Sequence, residues 1–211
     1  MGRRPGARNR DYEQTRHALA ATLSAALLRD DGTPATLVDL ARAAGVSTTT
    51  LTHYFGDRDG LYAAVLEAVR ADAADFLASG TSAGGRPPEE TLPGLLLGTV
   101  LAWRRFGLGR VFAGGLALGL GSPRRGPAFV SGLLEPFLQA VEQLLAEHVG
   151  RGELPPLDAD QRRAAALGVL SPVVLALLHQ DGLGGSGVRP LDVETLARGH
   201  AALLLAGLRA S

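Results

Sequence analysis

Apolar residues recur along most of this chain at the three- and four-residue spacing of helices. Between Asp11 and Leu28, leucines stand at 19, 23 and 27, with alanines in the intervening turns. Comparable patterns occupy five further segments, at 59–77, 89–106, 126–149, 158–181 and 192–209. No run alternates between apolar and polar residues in the way that demands a strand. The pattern predicts an all-α fold, and the glycine-rich stretch 107–121 adds one short helix.

Two short helices are predicted after residue 35. Thr36 and Asp39 form the T-x-x-D pattern of a capping box, in which side chains and backbone at a helix start satisfy each other. Gly45 ends this helix, because glycine readily takes the left-handed conformation found after a helix terminus. Ser47 caps the next helix, which runs to about residue 55, and Asp57 caps a fourth.

Helices of about seven residues cannot each bury much apolar surface alone, so both must pack on the first helix. Their inward-facing positions are predicted to be Leu37, Leu40, Ala41, Val46, Leu51 and Phe55. Two such helices joined at a glycine corner form a helix-turn-helix, whose second helix lies in a major groove of DNA. The sequence therefore predicts a DNA-reading segment near the N-terminus.

The second of these helices presents polar side chains to solvent: Thr48, Thr49, Thr50, Thr52, His53 and Tyr54. Threonine hydroxyls can bond base edges or phosphates, and threonine methyl groups can touch thymine. Taken alone, three successive threonines would only begin a mediocre helix. Within the helix-turn-helix arrangement they indicate the surface that reads DNA.

Three blocks resemble the signature of the tetracycline-repressor (TetR) family: LARAAGVS at 40–47, LTHYF at 51–55, and Arg58 with Leu61 and Val65. The resemblance covers about residues 12–66. It implies a DNA-binding domain, a homodimer that binds a near-palindromic operator in double-stranded DNA, and variable C-terminal helices that hold a small-molecule inducer.

The resemblance also implies roles for single residues. Thr36 would contact a phosphate, Thr48, Thr49 and Thr50 would face bases, and His53 and Tyr54 would contact the DNA backbone. Arg58 stands where the family usually has lysine and would hold a phosphate. Thr52 stands where the family commonly has tyrosine, so it departs from the pattern within the same DNA-binding surface.

Charge gives the DNA-binding interpretation little support. The formal net charge is zero. All 21 basic residues are arginine, which reflects either a bias in genomic composition or the ability of arginine to bind phosphate through two hydrogen bonds. Residues 11–58 hold four arginines and six carboxylates, so a strongly basic footprint is missing. Arg3, Arg4, Arg8 and Arg10 make the first ten residues either a basic arm for DNA or a solvated tail.

The C-terminal region contains candidate sites for an effector and for a second subunit. Aromatic residues with one histidine line either a small apolar pocket or an ordinary core: Trp103, Phe106, Phe112, Phe129, Phe137 and His179. Two leucine-rich stripes, at 167, 174 and 178 and at 196, 203 and 204, either pack within one subunit or form the four-helix dimer bundle that the resemblance implies.

Other classes of function find weaker support. Residues 80–84 match the hydrolase pattern G-x-S-x-G, but they follow a helix rather than a strand. The five histidines lack ligand spacing, so no metal or other cofactor is predicted. The longest uncharged run, 164–180, falls short of the roughly 20 apolar residues that span a bilayer. The absence of cysteine suits a reducing cytoplasm.

These observations predict an arm at 1–10, a three-helix DNA-binding domain at 11–58, and a helical regulatory and dimerisation domain at 59–211 that begins with a connecting helix at 59–78. The predicted function is a cytoplasmic, ligand-responsive transcriptional repressor that a small, mostly apolar molecule releases from its operator. A helical adaptor without DNA binding is the alternative, and an enzyme is not expected.

Overall fold

The structure, a computed structural model, describes residues 5–28, 35–72, 82–105 and 107–210. These ranges contain helices and no strand, which confirms the predicted all-α class. The α-helices are α1 (Pro5–Leu27), α2 (Leu37–Ala44), α3 (Thr48–Phe55), α4 (Arg58–Asp72), α5 (Pro88–Arg105), α6 (Leu108–Leu120), α7 (Arg125–Phe129), α8 (Glu135–Gly150), α9 (Ala159–Leu177) and α10 (Val193–Ala210).

Within the described residues, the helix boundaries follow the predicted ones closely, with two differences. The predicted end of the fourth helix, at 77, lies outside the described residues. Helix α1 begins at Pro5 rather than at Asp11. Two stretches take π-helical geometry, Val130–Leu134 between α7 and α8 and Leu178–Gly182 after α9. Each adds a residue per turn without interrupting the helix, so the predicted segments 126–149 and 158–181 are both continuous.

The chain divides into two compact units, and each is discontinuous in sequence. Unit 1 contains residues 1–73 and 110–133, and unit 2 contains 74–109 and 134–211. The functional domains predicted at 11–58 and 59–211 follow a different division and stay a prediction.

The core of unit 1 joins α1 to the two short helices and to α4. Leu23, Leu40, Leu51 and Leu61 are all buried there. Leu37 and Val46, which the pattern placed inside, are only half-buried. Helix α2 packs on α1, as the pattern predicted for both short helices, whereas α3 packs mainly on α2 and α4. Both helices thus gain their stability from shared burial.

Glycines in α6 bring its backbone close to the other helices of unit 1. A Cβ atom at Gly115 would lie 2.8 Å from the Phe129 ring, and one at Gly114 would lie 3.0 Å from Leu28 Cβ. The same approach lets the buried Tyr62 hydroxyl donate a hydrogen bond of 2.6 Å to the Gly115 carbonyl. Close packing therefore accounts for these two glycines of the stretch 107–121.

Tyr62 should make the protein sensitive to alkali. Burial raises the pKa of its hydroxyl to about 12, above the value of about 10 expected in the unfolded chain. Because the folded state holds this proton more tightly, the stabilisation is complete below pH ~10 and is lost as the pH approaches ~12. We expect the free energy of unfolding to fall by about 2–3 kcal/mol across this interval, measured by urea denaturation.

Tyr62→Phe is the control, since it cannot ionise. An equal loss of stability in the variant and the wild type between those pH values would show that Tyr62 is not the responsible group.

Unit 2 is a helical bundle in which α5 packs on α10 and α9 packs on α8 and α10. Its core includes Leu96, Leu144, Val173 and Ala201, all buried. The fully buried His148 lies 2.8 Å from the Thr91 hydroxyl and 2.7 Å from the Glu153 carboxylate. Both ring nitrogens thus have a hydrogen-bond partner, and the contact between His148 and Thr91 connects the end of α8 to the start of α5.

The continuous helical segment Ala159–Gly182 is long and apolar enough to cross a membrane by length and composition alone. Buried helices of water-soluble proteins also meet that criterion. Here Ala166, Val169, Val173 and Leu177 are buried within unit 2, which places one face of the segment in a protein core.

Candidate nucleic-acid interface

Local hydrogen bonds fix the relative orientation of α2 and α3. The Thr36 hydroxyl accepts from the Asp39 N–H at 3.2 Å, and the Thr36 N–H donates to the Asp39 carboxylate at 3.1 Å, which completes the predicted capping box. Gly45 follows α2 with φ of +66°. The Val46 N–H donates to the Ala41 carbonyl at 3.0 Å, and the Gly45 N–H donates to the Arg42 carbonyl at 3.2 Å. This is a Schellman motif, and it makes the tight corner that the sequence predicted.

Side-chain caps also define the start of α3 and the start of α4. The Ser47 hydroxyl accepts from the Thr50 N–H at 3.0 Å, and the Asp57 carboxylate accepts from the Gly60 N–H at 2.8 Å where α4 begins. Leu51 and Phe55 anchor the inner face of α3 in the core. The outer face of α3 is therefore held on a rigid support, which a reading surface requires.

The outer face of α3 carries the predicted threonines, and they are not equivalent. Thr48, Thr49, Thr52 and His53 are exposed and line a shallow concavity of about 400 Å³. Thr50 is half-buried, and its hydroxyl lies 2.8 Å from that of Ser47. Thr50 thus belongs to the cap of α3 more than to the surface that the sequence assigned to bases.

Thr36 is likewise occupied by its structural role. Its hydroxyl donates to the Asp39 carboxylate at 2.6 Å while accepting from the Asp39 N–H. The side chain remains exposed, so the predicted phosphate contact has to compete with the capping box or use the remaining lone pair.

An aromatic cluster that the sequence reading missed supports the C-terminal end of α3. The Tyr12 ring on α1 lies 4.8 Å from the Tyr54 ring and 5.8 Å from the His53 ring, measured between centroids. Its hydroxyl is within 3.4 Å of the His53 carbonyl oxygen. Tyr12 was detectable as the one aromatic residue of α1, but nothing in the helical period shows which helix it faces.

Arg58 is less available than the sequence predicted. Its side chain is half-buried, and its Nε and Nη2 atoms are buried without a hydrogen-bond partner among the described residues. Burial, reinforced by the nearby charge of Arg125, lowers the pKa of this guanidinium, while Asp59 acts in the opposite direction. The ion pair with Asp59 is made by Arg125 instead, whose Nε lies 2.6 Å from the Asp59 carboxylate. A phosphate contact by Arg58 stays a prediction, and only part of its guanidinium is free to make one.

Other cations near this surface are engaged by carboxylates. Arg42 lies 3.3 Å from Asp39, and Arg16 lies 3.1 Å from Glu67. Arg3 and Arg4, proposed for the DNA-contacting arm, lie outside the described residues. The surface that α3 presents is thus polar and nearly uncharged.

The predicted effector-binding residues fall in different parts of the molecule. Trp103 and Phe137 belong to unit 2, Phe112 belongs to unit 1, and Phe106 lies outside the described residues. Phe112 packs against Phe129 edge to face, with 5.4 Å between ring centroids. The ring of Trp103 is buried. Their assignment to one effector pocket stays a prediction.

His179 occupies a different environment from the enclosed one the sequence suggested. It is exposed, and its Nδ1 lies 2.7 Å from Nε2 of the buried Gln180. Gln180 in turn donates to the Arg189 carbonyl at 3.1 Å and accepts from the Leu191 N–H at 3.0 Å. The histidine therefore borders a glutamine that fastens the loop before α10.

Residues 22–65 match the family model described as bacterial regulatory proteins, tetR family. Comparison with curated protein sequences finds no match. Among solved structures, the chain is similar to a protein of Mesorhizobium loti assigned to the TetR family of transcriptional regulators, with 17% identity over 94% of this chain and 96% of that one, and a TM-score of 0.67.

Two regulators named FadR, one of them described as a fatty acid degradation regulator from Bacillus halodurans, have a similar fold. The protein of Bacillus halodurans is 21% identical, with 99% of both chains covered and a TM-score of 0.59. The protein of Bacillus subtilis, solved in complex with stearoyl-CoA, is 17% identical, with 92% of this chain and 98% of that one covered and a TM-score of 0.63. At these identities the likeness concerns the fold.

Proposed function

We propose that this chain is a regulator of the tetR family, whose model its residues 22–65 match. In this proposal it is a cytoplasmic transcriptional repressor that acts as a homodimer and is released from DNA by a small apolar effector. The observation that carries the proposal is the outer face of α3. Its exposed threonines line a concavity on a helix that is capped at both ends and anchored by Leu51 and Phe55. Such a rigid helix with exposed hydroxyl and methyl groups fits the major groove.

Exposed apolar residues support a homodimer. Leu167 and Leu175 on α9 and Leu203 on α10 are exposed by 45%, 68% and 75%. Leu175 lies outside the predicted stripes, whose four remaining members are half-buried: Val174, Leu178, Leu196 and Leu204. Apolar side chains on two adjacent helices suit a four-helix bundle with the same helices of a second copy. Two copies would present two α3 helices to a near-palindromic operator.

The effector assignment rests on composition and on the neighbouring structures. Aromatic residues of the middle helices suit an apolar molecule, and the Bacillus subtilis regulator of this fold was solved with stearoyl-CoA. An effector can release the protein from DNA only by binding the DNA-free state more tightly than the DNA-bound state. We expect long-chain acyl compounds to be the first class worth testing, by their effect on the gel shift of the bound operator.

Selection of bound sites from random duplex DNA tests the central proposal. We expect a near-palindromic site for the wild type, altered base preference for Thr49→Ala, and uniformly weaker binding for Tyr54→Phe. Failure to enrich any site would reject DNA binding and favour the helical adaptor. Identical preferences for wild type and Thr49→Ala would reject base reading by that residue.

The salt dependence of binding should be unusually shallow. Arg42 and Arg16 are paired with carboxylates, and Arg58 is half-buried, so few cations are free to displace counterions. Each neutralised phosphate contributes about −0.9 to the slope of log K against log salt concentration. With so few free cations, the total slope for the dimer should be no steeper than about −4. Fluorescence anisotropy over a salt series measures it.

Removal of residues 1–10 separates the contribution of the N-terminal arginines. If they contact DNA, the truncated protein should lose part of this slope. A steep slope that survives the truncation would contradict both the shallow dependence and the role proposed for Arg3 and Arg4.

A further inference from the structure

Helix α3 lacks the side chains that most often read bases. Its sequence, TTTLTHYF, contains no arginine, lysine, asparagine, glutamine or carboxylate. Bidentate hydrogen bonding to guanine uses arginine or lysine, and bidentate bonding to adenine uses asparagine or glutamine. Side-chain hydrogen bonds from this helix to DNA must therefore come from threonine, His53 and Tyr54.

The hydroxyl groups of two of these threonines are already used within the helix. The Thr52 hydroxyl donates to the Thr48 carbonyl at 3.0 Å, and that of Thr50 is bonded to Ser47. Thr52 is nevertheless exposed and lines the concavity. With its donor committed to the backbone, this side chain offers a partner only its methyl group and the acceptor lone pairs of its oxygen.

The concavity lies along one face of the helix. Its four lining residues, Thr48, Thr49, Thr52 and His53, recur at the spacing of a single helical stripe. The first two lie in the first turn, the part of a recognition helix that usually meets base edges. Three threonine methyl groups on such a stripe match the one apolar group of the major groove, the C5-methyl of thymine.

We infer that this face of α3 recognises thymine through methyl–methyl contact, with Thr52 as the specificity-determining residue and Thr48 and Thr49 beside it. The inference rests on the DNA-binding function proposed above. It means that each half-site contains thymines whose C5-methyl groups enter the concavity. A cytosine methylated at C5 presents the same group at the same place in the groove and replaces thymine in part.

Replacement of thymine by deoxyuridine in the selected operator tests the inference, since it removes one methyl group and leaves charge and base pairing unchanged. Each substitution at a contacted thymine should weaken binding about fourfold, the effect of exposing one buried methyl-sized group. The same substitution between the half-sites is the control and should leave affinity unchanged. Where thymine→cytosine weakens binding, 5-methylcytosine should recover part of the loss.

A matched pair of variants assigns the effect to Thr52. Thr52→Ser keeps the hydroxyl and its bond to the Thr48 carbonyl but removes the methyl group, whereas Thr52→Val keeps the methyl group and removes the hydroxyl. At one thymine, the ratio of affinities for thymine and deoxyuridine should fall toward one in Thr52→Ser and persist in Thr52→Val. Circular dichroism confirms that both variants are folded.

The outcomes separate this inference from the proposed function. If no operator is enriched, DNA binding itself fails. If an operator is enriched but deoxyuridine in its half-sites does not change the affinity, the protein binds DNA and methyl recognition by Thr52 is wrong. The same conclusion follows if the ratio of affinities for thymine and deoxyuridine falls to one in Thr52→Val and is kept in Thr52→Ser.

Discussion

Replacing Gly60 with alanine should destabilise the protein severely and abolish DNA binding. Gly60 lies in the first turn of α4, directly after α3, and its N–H donates to the Asp57 cap. A Cβ atom at this position would lie 2.0 Å from the Phe55 carbonyl oxygen and 3.2 Å from the Phe55 carbonyl carbon. Since these are backbone atoms, no side chain can rotate to relieve the clash, and the junction between α3 and α4 must open.

The expected loss of stability from Gly60→Ala is about 3 kcal/mol, the upper end of what overpacking usually costs. For a chain of this size that corresponds to a fall in Tm of roughly 10 °C. Because α3 would shift with the junction, operator affinity should fall even at temperatures where the variant is folded. Thermal denaturation followed by circular dichroism, together with a gel shift, measures both effects.

Gly94→Ala is the matched control for this prediction. Gly94 is exposed within α5, and a Cβ atom there would meet nothing within 4 Å. Alanine is a better helix former than glycine, so this variant should gain up to about 1 kcal/mol. If Gly60→Ala behaved like Gly94→Ala, the tight α3–α4 junction described here would be incorrect.

Charges introduced on the exposed leucines of α9 and α10 should dissociate the proposed homodimer. Leu175→Glu combined with Leu203→Glu places two carboxylates per subunit on the apolar surface, at positions exposed by 68% and 75%. Folding of the subunit should be unaffected at such exposure. Sedimentation should report a monomer, and operator affinity should fall by about 10²-fold or more, because the two half-sites are no longer bound together.

Leu183→Glu serves as the control, since Leu183 is exposed by 82% but follows α9 outside the leucine stripes. It should remain dimeric and bind the operator normally. A doubly substituted protein that is still dimeric would show that another surface joins the subunits. A monomer with undiminished affinity would show that one copy suffices for DNA binding.

Elements that depend on neighbours in sequence were the ones that could be predicted. The capping box of Thr36 and Asp39, the corner at Gly45 and the cap of Ser47 involve groups no more than five residues apart. Such contacts are fixed by residue type and spacing. The helix-turn-helix was recognisable because it consists almost entirely of local signals.

Contacts between distant segments were not predictable from the same reasoning. Helical periodicity shows that Tyr12 and Arg58 lie on helices, but it does not show that one packs on α3 or that the other is half-buried beside Arg125. The π-helical stretches were also missed, since each spans only five residues, too few for a shift in the apolar period to stand out. The residues of the predicted effector pocket were grouped because they are aromatic, and residue type alone does not show where in the fold a side chain lies.

The discontinuity of unit 1 has a practical consequence for work on its DNA-binding part. Residues 110–133 supply the Gly115 carbonyl that satisfies the Tyr62 hydroxyl and the close approach of Gly132 to Leu66. A fragment that stops after α4 would leave Tyr62 and Leu66, both fully buried in the intact protein, facing water. We expect such a fragment to aggregate on expression, so that the smallest piece able to fold extends at least to residue 133.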